Sequence, residues 1–147
     1  MSRRLFTVLL LVLLFISGVA SAKPDRAEVL RTFRKYEAMN SEFISSVSTG
    51  TAISGKSYTE LRRQVEAYAE GPFATALQSA QKIICKHQDQ ELLAALVQVR
   101  SATSNSASES ATEALCSVAK CSPTLFSSAI TVLQRKQQRD LRLRCTQ

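Results

Sequence analysis

The chain has 147 residues, a formal charge of +7, four cysteines, one histidine and no tryptophan. That length allows one domain with a real core. A lone imidazole leaves no second histidine for a histidine metal centre, and it puts any histidine-dependent nucleophilic chemistry on a single residue, His87.

The chain opens with Arg3 and Arg4, an apolar core from Leu5 to Ile16, and a small-residue exit at Ala20, Ser21 and Ala22. This pattern predicts a secretory leader over residues 1–22, cleaved after Ala22. Its apolar core falls short of the roughly 20 residues that cross a bilayer. Residues 23–147 then form a single all-helical secreted domain, soluble and outside the cytosol.

From Pro24 onward, Leu30, Phe33, Met39 or Asn40, Phe43, Ile44 and Val47 recur near one helical face, which predicts an amphipathic helix over residues 25–47. The glycines and hydroxyls of residues 48–55 read as a loop. Ser57 and Glu60 have capping-box spacing, and Tyr58, Leu61, Val65 and Tyr68 follow at helical spacing until Gly71 and Pro72 stop the run. Pro72 can then sit in the first turn of the next helix, whose stripe is Phe73, Leu77, Ala80 and Ile84.

Around residues 86–89 the pattern turns polar. Asp89 can cap a further helix bearing Leu92, Leu93, Leu96 and Val97, although one long helix fits the same residues. Residues 101–110 are small and hydroxyl-rich without apolar periodicity, and so read as an exposed linker. A short helix over residues 111–121 turns Leu115 and Val118 inward. Ser122 and Pro123 form an N-cap and first-turn pair for a last helix with Leu125, Phe126, Ala129, Ile130 and Leu133, running past Gln138. No stretch alternates with period two, so strands are not expected.

The fold class is therefore all-α: a compact, disulfide-stapled helical bundle of five or six helices. Cys85, Cys116, Cys121 and Cys145 are an even set in an exported chain, which predicts two disulfides. Cys116 and Cys121 lie about 7.5 Å apart along a helix, too far to bond to each other. Two pairings remain: Cys85–Cys121 with Cys116–Cys145, or Cys85–Cys116 with Cys121–Cys145. Either clamps the C-terminal elements and leaves the first two helices to packing. The Cys-x4-Cys spacing with one distant histidine does not match a zinc site, and no metal or cofactor is expected.

Residues 115–133, LCSVAKCSPTLFSSAITVL, carry a family resemblance. The stretch resembles the elicitins and elicitin-like proteins of oomycetes, small secreted helical proteins in which a Leu-Cys-x4-Cys pair opens an amphipathic helix. The resemblance implies that Cys116 and Cys121 pair with different partners, and it implies sterol or lipid carriage and recognition by a host plant. The chain departs from the family in having four cysteines rather than six and in being rich in arginine.

Other chemistry finds little footing. Glu60, Glu66 and Glu70 beside Arg62 and Arg63 read as a solvated charged face rather than a glycosidase pair. Gly50 and Gly55 are too far apart for a phosphate loop. No catalytic residue is assigned, and the chain is read as not an enzyme.

Loss of the leader takes the charge to +5, of which the last 14 residues hold +4 through Arg135, Lys136, Arg139, Arg142 and Arg144 against Asp140. Any electrostatic partner should meet that segment. No aromatic follows Phe126, so nucleic acid is not the expected partner. Two functions follow. The first is binding of a small apolar ligand such as a lipid or sterol, or of a protein partner, by a secreted effector-like protein, with Phe33, Phe43, Tyr68, Phe73 and Phe126 lining the interior. The alternative is a membrane-surface or glycan-binding protein using the basic segment.

Overall fold

The computed structural model describes residues 24–49, 55–103 and 106–146; the expected leader and most of the loop after residue 49 lie outside them. Seven α-helical segments follow in order: α1 (Arg26–Thr49), α2 (Tyr58–Tyr68), α3 (Ala74–His87), α4 (Gln90–Ala102), α5 (Ser106–Cys121), α6 (Pro123–Ala129) and α7 (Arg135–Cys145). A π turn over Ala69–Phe73 joins α2 to α3, and a 3-10 turn over Ile130–Val132 extends α6, so the described residues make six helical rods. No strand occurs among the described residues. This is the all-α bundle that the periodicity implied.

The first departure from expectation is at Gly71 and Pro72, which do not stop the helix. Pro72 has no N–H to give to the turn before it. The backbone accommodates this by widening: the N–H of Ala74 donates to the carbonyl of Ala69, five residues back. A turn of this kind takes up about one residue more than an α turn. Phe73 thereby falls on the buried face that carries Leu61 and Val65. There it meets α1, with its ring 5.7 Å from that of Phe33 and stacked 4.2 Å from that of Tyr36.

Residues 86–89 are a break. Gln88 takes the left-handed conformation with φ 55°, and its N–H donates to the Ile84 carbonyl at 2.8 Å. Asp89 then caps α4 as expected, with one carboxylate oxygen accepting from the Leu92 N–H at 2.9 Å. The other accepts from Arg26 Nε at 2.5 Å, and Arg26 also reaches Glu91, so the start of α1 is fastened to the start of α4.

The expected linker over residues 101–110 is largely helical. Ser101 and Ala102 finish α4, and α5 begins at Ser106. Hydroxyls that would favour a loop instead bond back along the helix, from Thr112 Oγ1 to the Ser108 carbonyl at 2.7 Å and from Ser110 Oγ to the Ser106 carbonyl at 3.3 Å. Ala107, Ala111 and Ala114 are buried with Leu115 and Val118. Their small side chains let α5 sit at the centre, against α3, α4, α6 and α7.

Two further details differ. Ser122 precedes Pro123 but makes no side-chain cap; its Oγ accepts from Gln88 Nε2 at 2.5 Å instead. The last helix is two pieces rather than one. It ends in the 3-10 turn, bends at Leu133, and restarts at Gln134, whose N–H donates to Gln137 Oε1 at 3.2 Å at the start of α7. Every buried side-chain nitrogen or oxygen among the described residues has a hydrogen-bond partner.

The Arg26 guanidinium holds the Asp89 carboxyl below its usual range. A depressed folded-state pKa contributes stability that is present above the unfolded value, near ~3.9, and lost as pH falls through the folded one. Asp89→Asn, which keeps a capping oxygen, should lower stability at neutral pH and match the wild type in strong acid. Asp89→Ala should cost about 1 kcal/mol more than Asn, because it also removes the cap. Urea unfolding across a pH series checks both.

Candidate functional site

The interior is built of large apolar side chains. Phe33, Tyr36, Phe73, Ile84, Leu92, Leu93, Leu96, Leu115 and Ile130 are all fully buried in one continuous core. Of the aromatic residues expected inside, Phe33, Phe73 and Phe126 are buried, whereas Phe43 and Tyr68 lie half-exposed at the rim. The space available to a ligand lies outside the core. The largest described is an open groove of about 550 Å³, formed mainly by α1 and α2.

Its floor is Met39, Leu61, Val65, Ala67, Tyr68 and Pro72, and its rim carries Lys35, Lys56 and Arg63 against Glu42. Arg63 is held by Glu60 at 2.8 Å. Lys35 lies 5.0 Å from the Tyr68 ring centroid, and Lys56 bonds the Gln64 amide at 3.0 Å. Neither lysine forms an ion pair among the described residues. The rim is thus apolar below and basic above.

One turn along α1 from Met39, Phe43 packs on Tyr58 with centroids 5.3 Å apart. Beyond it, Ile44 and Val47 are 47% and 55% exposed. At 100° per residue, Val47 lies on the same stripe as Val29, Phe33, Tyr36 and Asn40. The apolar stripe of α1 therefore outruns the helices that cover it. Sequence periodicity placed Ile44 and Val47 near the apolar face of the helix, and such a pattern does not report the length of the neighbours that cover it.

The second surface is α7. Its Leu141 is buried against the body, and Cys145 bonds Cys116 of α5 with Cα atoms 4.6 Å apart. Cys85 of α3 bonds Cys121 at the end of α5, with Cα atoms 5.7 Å apart. On the opposite face of α7, Arg135, Lys136, Arg139, Arg142 and Leu143 fall within an arc of about 120° at 100° per residue. All five are exposed.

Arg144 does not belong with them. It turns toward the body and pairs with Glu109 of α5 at 2.7 Å and with Asp140 at 3.4 Å. Asp140 also takes Arg100 of α4 at 3.2 Å. Of the five basic residues read from the sequence as one surface, four share a face and one serves as a tie.

The remaining polar groups show no constellation. His87 is exposed at the end of α3. Arg62 and Arg63 bond Glu66 and Glu60 along α2, a solvated charged face as expected. Burial pushes the Glu37 carboxyl up, against a hydrogen bond from Gln98. No group of three or more His, Cys, Asp or Glu among the described residues could hold a metal ion. No described helix is long and apolar enough to cross a membrane. No family model, curated protein or solved structure matches the chain.

The Cys116–Cys145 bond closes a separation of 29 residues. In the chain-entropy account such a closure is worth about 3.5 kcal/mol. Replacing both with serine should lower stability by that order and raise amide exchange across residues 135–145 well above that of α4. Equal protection of the two helices in the variant would show that Leu141 and the ion pairs of Asp140 and Arg144 hold α7 without the bond.

Proposed function

We propose that the protein is a secreted, non-catalytic binding protein that receives an apolar-faced segment of a partner protein along the α1–α2 groove. The observation that carries this reading is the open groove itself, where Met39 of α1 and Leu61, Val65, Ala67 and Tyr68 of α2 form an apolar floor beneath basic side chains. From Lys35 to Glu42 the α1 wall of this groove is about 10 Å long, or two turns of a partner helix. Such a helix needs only one face covered, so an open groove suits it. Lys35 and Lys56 suit acidic residues on its flanks. The leader over residues 1–22 and the two disulfides support export.

A second reading places a lipid or sterol on the same floor. It draws on the resemblance to the elicitins, supported by the bonding of Cys116 and Cys121 to different partners. The groove is open, whereas an apolar small molecule is better held where most of its surface is enclosed. That favours the partner segment.

An amphipathic leucine and glutamate helical peptide is a suitable probe. Its amide-shift perturbations should concentrate on Lys35, Met39, Lys56, Leu61, Ala67 and Tyr68. Ala67→Asp should weaken binding at least tenfold, as expected when an apolar floor contact is replaced by a charge facing the glutamates of the peptide. Scattered or absent perturbations would overturn the reading. Saturable uptake of a fluorescent sterol that competes with no peptide would replace it with the second.

A further inference from the structure

The outward face of α7 lies apart from the groove and is built differently. α7 packs chiefly on α5, whereas α2 packs chiefly on α1 and on the π turn that follows it. Four cations, Arg135, Lys136, Arg139 and Arg142, share that face with no carboxylate among them. None of the four forms an ion pair among the described residues, because both nearby acids are engaged elsewhere: Asp140 by Arg100 and Arg144, and Glu109 by Arg144. Among them stands Leu143, 58% exposed, one turn after Arg139 and next to Arg142.

The helix is also fixed before any partner arrives. Gln134 and Gln137 cap its start, Leu141 anchors its middle, and the disulfide from Cys145 holds its end. A pre-ordered face loses little conformational entropy on docking.

We propose that this face docks the protein on an anionic phospholipid surface, with the four cations at the phosphates and Leu143 entering the boundary of the acyl region. Charge complementarity selects a polyanion. Guanidinium groups, three of the four, match phosphate oxygens with paired hydrogen bonds. Leu143 selects a bilayer over a glycan, since an exposed leucine gains nothing from a sulfated sugar but gains by leaving water at a lipid boundary. Four basic residues lie in the range that recognises anionic lipid.

Co-sedimentation of the oxidised protein with vesicles is the test. Binding is expected to mixed phosphatidylglycerol and phosphatidylcholine vesicles, to be absent with phosphatidylcholine alone, and to fall as salt is raised. Arg139→Gln and Arg142→Gln should each lower partitioning about fivefold. Leu143→Ala should lower it severalfold while leaving retention on heparin unchanged. The groove variant Ala67→Asp should bind vesicles like the wild type, which keeps the fate of the two sites separable. All these positions are exposed, and circular dichroism should show unaltered helix content. Failure to bind anionic vesicles, equal binding to neutral ones, or partitioning indifferent to Leu143→Ala would overturn the proposal. Heparin retention without vesicle binding would assign the face to a glycan instead.

Discussion

The bundle depends on two covalent bonds leaving one helix in two directions. Cys116 and Cys121 lie within the last turns of α5, and their separation turns them to different sides of it. One holds the end of α3 and the other the end of α7. Because α5 also presents its alanine face to α3 and α4, the helix that carries the bonds is the one around which the core is packed. The crosslinks limit the unfolded chain, while the packing decides which ends meet.

This arrangement divides the molecule into a fastened part and a packed part. α3, α5 and α7 are bonded; α1 rests on aromatic contacts with Phe73 and on the Arg26 bridge to Asp89 and Glu91. The groove lies in the packed part, where side chains can adjust to an occupant at little cost to the rest. The cationic face lies in the fastened part, where its spacing is held. As proposed sites of recognition the one would adapt and the other is preset, and they sit on different helices.

The acidic residues show how a charged tail becomes an oriented surface. The basic C-terminal segment contains a single acid, Asp140, and the fold turns it toward Arg100. With Glu109 it also draws Arg144 out of the outer face. Such partly exposed pairs add little stability one by one. Their effect is directional: they fix the rotation of α7 about its axis and leave Arg135, Lys136, Arg139 and Arg142 facing out.

Much of this was legible in the residues. Apolar spacing revealed the helices, Asp89 its cap, Leu115 and Val118 their burial, and the five-residue gap the rule that Cys116 and Cys121 do not bond to each other. These are properties of one helix at a time, which sequence encodes locally. What needed the assembled molecule was every question of which element lies beside which. Pro72 continues a helix because Phe73 has a pocket against Phe33 and Tyr36 to fill, and the serine-rich stretch is helical because its alanines meet neighbours. The cysteine pairing follows because α3, α4 and α5 reverse twice and bring two helix ends together. Ile44 and Val47 are exposed, and Arg144 is withdrawn, for the same reason: burial and pairing across helices belong to the partner's position, which no local pattern contains.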